Sequence, residues 1–193
     1  MSMRPLPFQE LEQLAHELDA ADADAAGLVA GLDQSHGAWR GEPGSWSIAE
    51  CLDHLATANR VYLRAMQPAA DRARREGRTR RRPALPGPLG RLFIKWMEPP
   101  VRRRGKAPRL IRPREQPPLE TAYANFQRQQ QQVRSFLETY ADIDLAGVKF
   151  PNPFVSGLRW SLATGLNVIT SHERRHLWQA WNVRRAMEAA ATR

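Results

Sequence analysis

From Ser161 to Ala191 the chain repeats apolar and small residues at a period that suits a packed helix. Leu162, Ile169, His176 and Val183 recur every seven residues, with Gly165, His172 and Gln179 interleaved. A seam of this kind faces the interior of a helical bundle. It places two imidazoles, four residues apart and on one helix face, where water is scarce. Imidazole nitrogens need partners when they are buried. The same seam therefore constrains the fold and raises the functional question.

Three more segments show a helical period. The first, about Phe8 to Leu32, aligns Leu11, Leu14, Ala15, Leu18, Ala25, Leu28 and Leu32. Gly31 and the stretch from Gly37 to Gly44 end it. The second begins at Ser47, where Ser47 and Glu50 have the spacing of a capping box. Its apolar face runs through Ile48, Cys51, Leu52, Leu55, Asn59, Tyr62 and Met66. Glu50, Asp53, Thr57, Arg60 and Arg64 are expected on the opposite, wet face, and His54 lies at the margin. The third, about Leu119 to Tyr140, buries Ala122, Tyr123, Phe126, Val133, Phe136, Leu137 and Tyr140. Its glutamine-rich run, Gln127 to Gln132, is expected to be a solvated face.

No alternating strand pattern stands out. Val148 to Phe154 carries two prolines and is expected to be a loop. These segments predict an all-α fold, a four-helix bundle forming a single domain over residues 1–193. A long, proline-rich crossover, roughly Gly77 to Pro118, joins helices two and three. It is too long for a plain loop, and Leu89 to Met97 within it can form a short amphipathic helix that packs back onto the bundle.

Charge is concentrated in that crossover. Residues 72–114 hold 16 Lys and Arg against Glu76 and Glu98, a local +14 that leaves −5 for the rest of a chain whose net charge is +9. A basic segment on an otherwise acidic domain argues against a general nucleic-acid binder. It allows a solvated surface, a patch attracting an anionic small-molecule substrate, or a phosphate-binding site using Arg80–Arg82 and Arg102–Arg104. No apolar run approaches the roughly 20 residues of a membrane span, and Met1 to Leu14 lacks the pattern of a signal peptide. The single cysteine, Cys51, excludes an internal disulfide framework, so a cytoplasmic location is expected. An exposed apolar helix face would also permit a homodimer.

His172-Glu173-Arg174-Arg175-His176 is a literal H-E-x-x-H, the zinc-protease pattern in which Glu173 would be the general base. The rest of such an enzyme is missing. There is no strand for the substrate, and no G-x-x-H continuation follows in Leu177-Trp178-Gln179-Ala180. Glu173 also lies about 100° around the helix from His172. The histidine pair remains open to two readings, a metal site or two satisfied core residues. A divalent metal normally takes at least three protein ligands. His54 is the best-placed third, whereas His16 and His36 sit early in the first helix and in a glycine-flanked loop. Cys51, one turn from His54, reads as a small buried apolar residue rather than a ligand. Trp178 and Trp181 read as packing residues that could also wall a pocket.

Three stretches together resemble the DinB-like superfamily. They are Trp46-Ser-Ile-Ala-Glu-Cys-Leu-Asp-His54-Leu55; the crossover Gly90 to Pro100 with Lys106-Ala-Pro108 and Arg112-Pro113; and Ser171-His-Glu-Arg-Arg-His-Leu-Trp-Gln179. The resemblance implies a four-helix bundle in which His54, His172 and His176 bind zinc, nickel or iron. It implies metal-dependent hydrolysis, or transfer of a low-molecular-weight thiol acting as cofactor. The catalytic group would then be a coordinated water or thiolate, with Glu173 a weak further candidate. A contrasting expectation is a non-enzymatic binding module that uses the basic 72–114 segment to hold an anionic partner.

Overall fold

The computed structural model describes residues 8–101 and 106–192. Four long helices form the bundle: α1 (Gln9–Val29), α3 (Ile48–Arg75), α5 (Leu119–Thr139) and α6 (Leu162–Ala191). Two shorter ones lie in the connections, α2 (Gln34–Ala38) and α4 (Pro88–Met97). Ser47 caps α3 as its sequence predicts, accepting from the Glu50 N–H while Glu50 accepts from the Ser47 N–H. Ser161 caps α6 by accepting from the Thr164 N–H.

Each long helix packs mainly on two neighbours. α3 lies against α5 and α6, and so does α1, which puts α1 and α3 at opposite corners. Both α3 and α5 start in one apolar cluster, around Ile48, Leu52, Leu119 and Phe126, and end in a second, around Tyr62, Met66, Val133 and Phe136. They are therefore parallel neighbours. The chain must travel back along the bundle before α5 can begin, a distance of about 30 Å for a 21-residue helix at 1.5 Å per residue. That return is the physical reason for the long basic crossover.

α4 lies within the crossover and packs on α6. A Cβ on Gly90 would meet the Thr164 methyl at 2.5 Å, so the absence of a side chain sets how closely the two helices approach. Phe93 and Ile94 pack on the core and Met97 is buried, while Leu89, Leu92 and Trp96 stay exposed. Arginines of the crossover pair with acids outside it, Arg80 with Glu10, Arg78 and Arg82 with Asp144, and Arg114 with Asp53, while Arg74 at the end of α3 pairs with Asp142. Arg102–Arg104 lie outside the described residues.

Four local expectations are corrected. Val148 to Phe154 is not a plain loop, because β1 (Lys149–Pro151) pairs antiparallel with β2 (Arg159–Ser161), Phe150 opposite Trp160. Three-residue strands are too short to show alternation, and a two-stranded ribbon tolerates Pro151 at its margin. Glu50 and Asp53 are buried rather than on a wet face, because arginines from outside the helix cover them. Gln129 and Gln130 are likewise buried in the glutamine run. His36 sits on α2 rather than in a loop, closing a capping box with Asp33.

Candidate metal centre

The two apolar clusters are separated by a polar layer to which every long helix contributes. α1 supplies Asp22 between Leu18 and Ala25. α3 supplies Asn59 between Ala56 and Tyr62. α5 supplies Gln129 and Gln130 between Phe126 and Val133. α6 supplies His172, Glu173 and His176 between Ile169 and Leu177. Such a layer is costly unless its members satisfy one another.

His54, His172 and His176 come together on the α3–α6 side, each offering a ring nitrogen within 4.8 Å of the others. His54 and His176 are buried, and His172 is partly so. His54 Nδ1 lies 2.5 Å from the backbone carbonyl of Ile111. A carbonyl only accepts, so the proton sits on Nδ1 and the lone pair on Nε2. That Nε2 is 3.1 Å from His172 Nε2. His176 Nδ1 is buried with no hydrogen-bond partner among the described residues. The Trp46 indole covers the group, its ring centroid 4.7 Å from that of His54 and 5.6 Å from that of His176.

Burial holds all three imidazoles neutral. It pushes His54 down to about 4, against the Ile111 carbonyl and the Asp53 carboxylate, which both favour the charged form. It pushes His172 and His176 well below the ordinary value, and mutual repulsion adds to the effect. A neutral imidazole with a free lone pair is the ligand form of histidine.

The other residues singled out by sequence are elsewhere. Glu173 is fully buried and accepts from Asn59 Nδ2 at 2.6 Å and from Gln130 Nε2 at 3.4 Å. Burial raises its carboxyl to about 8. It belongs to the polar layer and not to the histidine group. Cys51 is fully buried, burial pushes its thiol up, and it too is outside the group. His16 and His36 are exposed. Trp181 donates to Asp24 at 2.6 Å and packs between α1 and α6.

Sequence reasoning missed Trp46 as the cover, Ile111 as the carbonyl that orients His54, and the arginines behind them. Arg40 holds Glu50 with two hydrogen bonds at the start of α3. Arg114 holds Asp53, next to His54 in the chain. The available signal was two acids in the first turns of α3 on a chain rich in arginine.

A family model described as the DinB superfamily matches residues 17–180. No curated protein matches the chain. Among solved structures, YfiT from Bacillus subtilis, described as a probable metal-dependent hydrolase with an unusual four-helix bundle topology, matches with a TM-score of 0.56 at 15% identity. The match covers 97% of this chain and 94% of that one, and at that identity it bears on the fold alone. With its family model spanning most of the bundle, the chain belongs to the DinB superfamily.

Proposed function

We propose that the protein is a metal-dependent enzyme that holds one divalent cation on His54, His172 and His176. It acts on a small molecule by hydrolysis or by transfer of a low-molecular-weight thiol. The observation that carries this reading is the pair of facing Nε2 atoms. With the His54 proton held at Nδ1, a 3.1 Å separation suits two lone pairs sharing one cation at about 2.0–2.1 Å. The buried, unpartnered His176 Nδ1 is a further sign that the group is built to hold something.

Three neutral ligands leave a divalent cation its full charge and open positions. The cation, zinc, nickel or iron, would supply Lewis acidity toward a carbonyl, a water or a thiol. The chain's own residues orient and shield. Ile111 fixes the His54 ring, Trp46 excludes water from one side, and the seam of α6 holds His172 and His176 one turn apart. Hydrolysis and thiol transfer are the two reactions that the resemblance to the DinB-like superfamily implies, and both would draw on the same Lewis acidity.

The binding-module reading is weaker on the described residues. Arg74, Arg78, Arg80, Arg82 and Arg114, five of the sixteen cations of the segment, pair with acidic side chains, which lowers the charge a partner would meet. No described helix is long and apolar enough to cross a membrane.

Elemental analysis of the chain purified without a histidine tag tests the proposal. One divalent cation per chain is expected, lost in His172→Ala, and the loaded protein should turn over in a screen of thiol–electrophile pairs and small esters or amides. A metal-free native chain that shows no change in His172→Ala would sink it.

A further inference from the structure

Asp53 and His54 are adjacent on α3, and both reach the same short stretch of the crossover. His54 takes the Ile111 carbonyl. Three residues on, Asp53 takes Arg114 by three hydrogen bonds. Its Oδ2 accepts from the Arg114 backbone N–H at 2.8 Å, and its Oδ1 accepts from Nε at 3.0 Å and Nη2 at 2.7 Å. We propose that the Asp53–Arg114 clamp is the positioning element of the histidine group, holding the Ile111 carbonyl where it sets the tautomer and angle of His54. The consequence for metal binding rests on the function proposed above.

The stretch needs such an anchor. Ile111 ends a single 3-10 turn (Arg109–Ile111), too short to hold its own position. Its side chain is buried, but Leu110 and the two arginines beside it are exposed. Asp53 is only 4% exposed, so its carboxylate has lost most of its water and depends on the three donors. A buried acid with a guanidinium and a backbone N–H fixes a loop in direction as well as distance, which a single hydrogen bond does not. If the clamp opened, the carbonyl would drift, and the His54 proton could move to Nε2, which now faces His172 Nε2 with a lone pair.

Two readouts test the clamp. Nitrogen-15 spectra of the histidine rings report the His54 tautomer in metal-free protein, and chelator competition reports zinc affinity. Asp53→Ala should convert His54 from the Nδ1–H form to a mixture and weaken zinc roughly 10–100-fold. Arg114→Ala, which keeps the backbone N–H on Asp53, should do the same more mildly. Arg80→Ala breaks another arginine–acid contact of the crossover, with Glu10, and serves as the control. It should lower stability and leave tautomer and affinity alone. Native tautomer and affinity in Asp53→Ala, or an equal loss in Arg80→Ala, would overturn the proposal. If Asp53→Ala does not fold, Arg114→Ala decides by the same readouts. A native chain that binds no zinc defeats the metal reading, while the tautomer measurement still decides the clamp.

Discussion

Glu173 occupies the most demanding position of any carboxyl group described, fully buried at the centre of a four-helix bundle. Asn59 from α3 and Gln130 from α5 donate to it, so one side chain ties α6 to its neighbour α3 and, across the bundle, to α5. Replacement should separate structural from chemical roles. Glu173→Gln keeps the volume and a carbonyl acceptor, and is expected to change unfolding free energy by less than about 1 kcal/mol. Glu173→Leu strands the Asn59 N–H groups and should cost about 1–3 kcal/mol in urea unfolding. Both should retain native metal content, because the carboxyl is not among the histidine donors. A native-stability Glu173→Gln that keeps its metal and loses turnover would return Glu173 to the chemistry. At this scale His172 and His176 were legible, since their spacing alone puts them in one seam. His54 was legible only as the best of three remaining histidines. The Ile111 carbonyl was not legible, because a backbone oxygen carries no residue code and its approach to His54 spans 57 positions.

Among the elements, the long helices could be read because burial repeats along them over many turns. What the pattern hid was contact from outside the helix. Glu50 and Asp53 look solvent-facing on a helical projection, yet Arg40 and Arg114 seal them. Gln130 looks like part of a wet run, yet it reaches Glu173. The β1–β2 ribbon was hidden because its strands are three residues long. α4 was predicted, but its distance from α6 depends on Gly90. Gly90→Ala drives a Cβ into Thr164, whose hydroxyl also accepts from the Gly87 N–H. Such overpacking typically costs about 1–3 kcal/mol. The expected outcome is a lower melting temperature, with earlier change in the fluorescence of Trp96 than in the helical signal, because α4 loosens before the bundle does. Coincident transitions at the native temperature would show that Gly90 has no such role.

For the molecule as a whole, the two apolar clusters supply most of the burial and the polar layer interrupts them. Within that layer the histidine group is where three ring nitrogens from two helices come within 4.8 Å of one another. A cation bound there stabilises the folded state by mass action, because the unfolded chain cannot assemble a site from residues 54, 172 and 176. The gain is RT ln(1 + [L]/Kd), about 2.7 kcal/mol at a free concentration one hundred times Kd. For a chain of this length, 1 kcal/mol moves the melting temperature by about 2–4 °C, so saturation should raise it by roughly 5–11 °C. His172→Ala should abolish that increment while its metal-free form melts within a few degrees of the metal-free native chain, since His172 is partly exposed and fills no apolar gap. Calorimetry with and without zinc over both proteins reads the difference directly. An equal increment in the two would place the bound cation elsewhere on the chain.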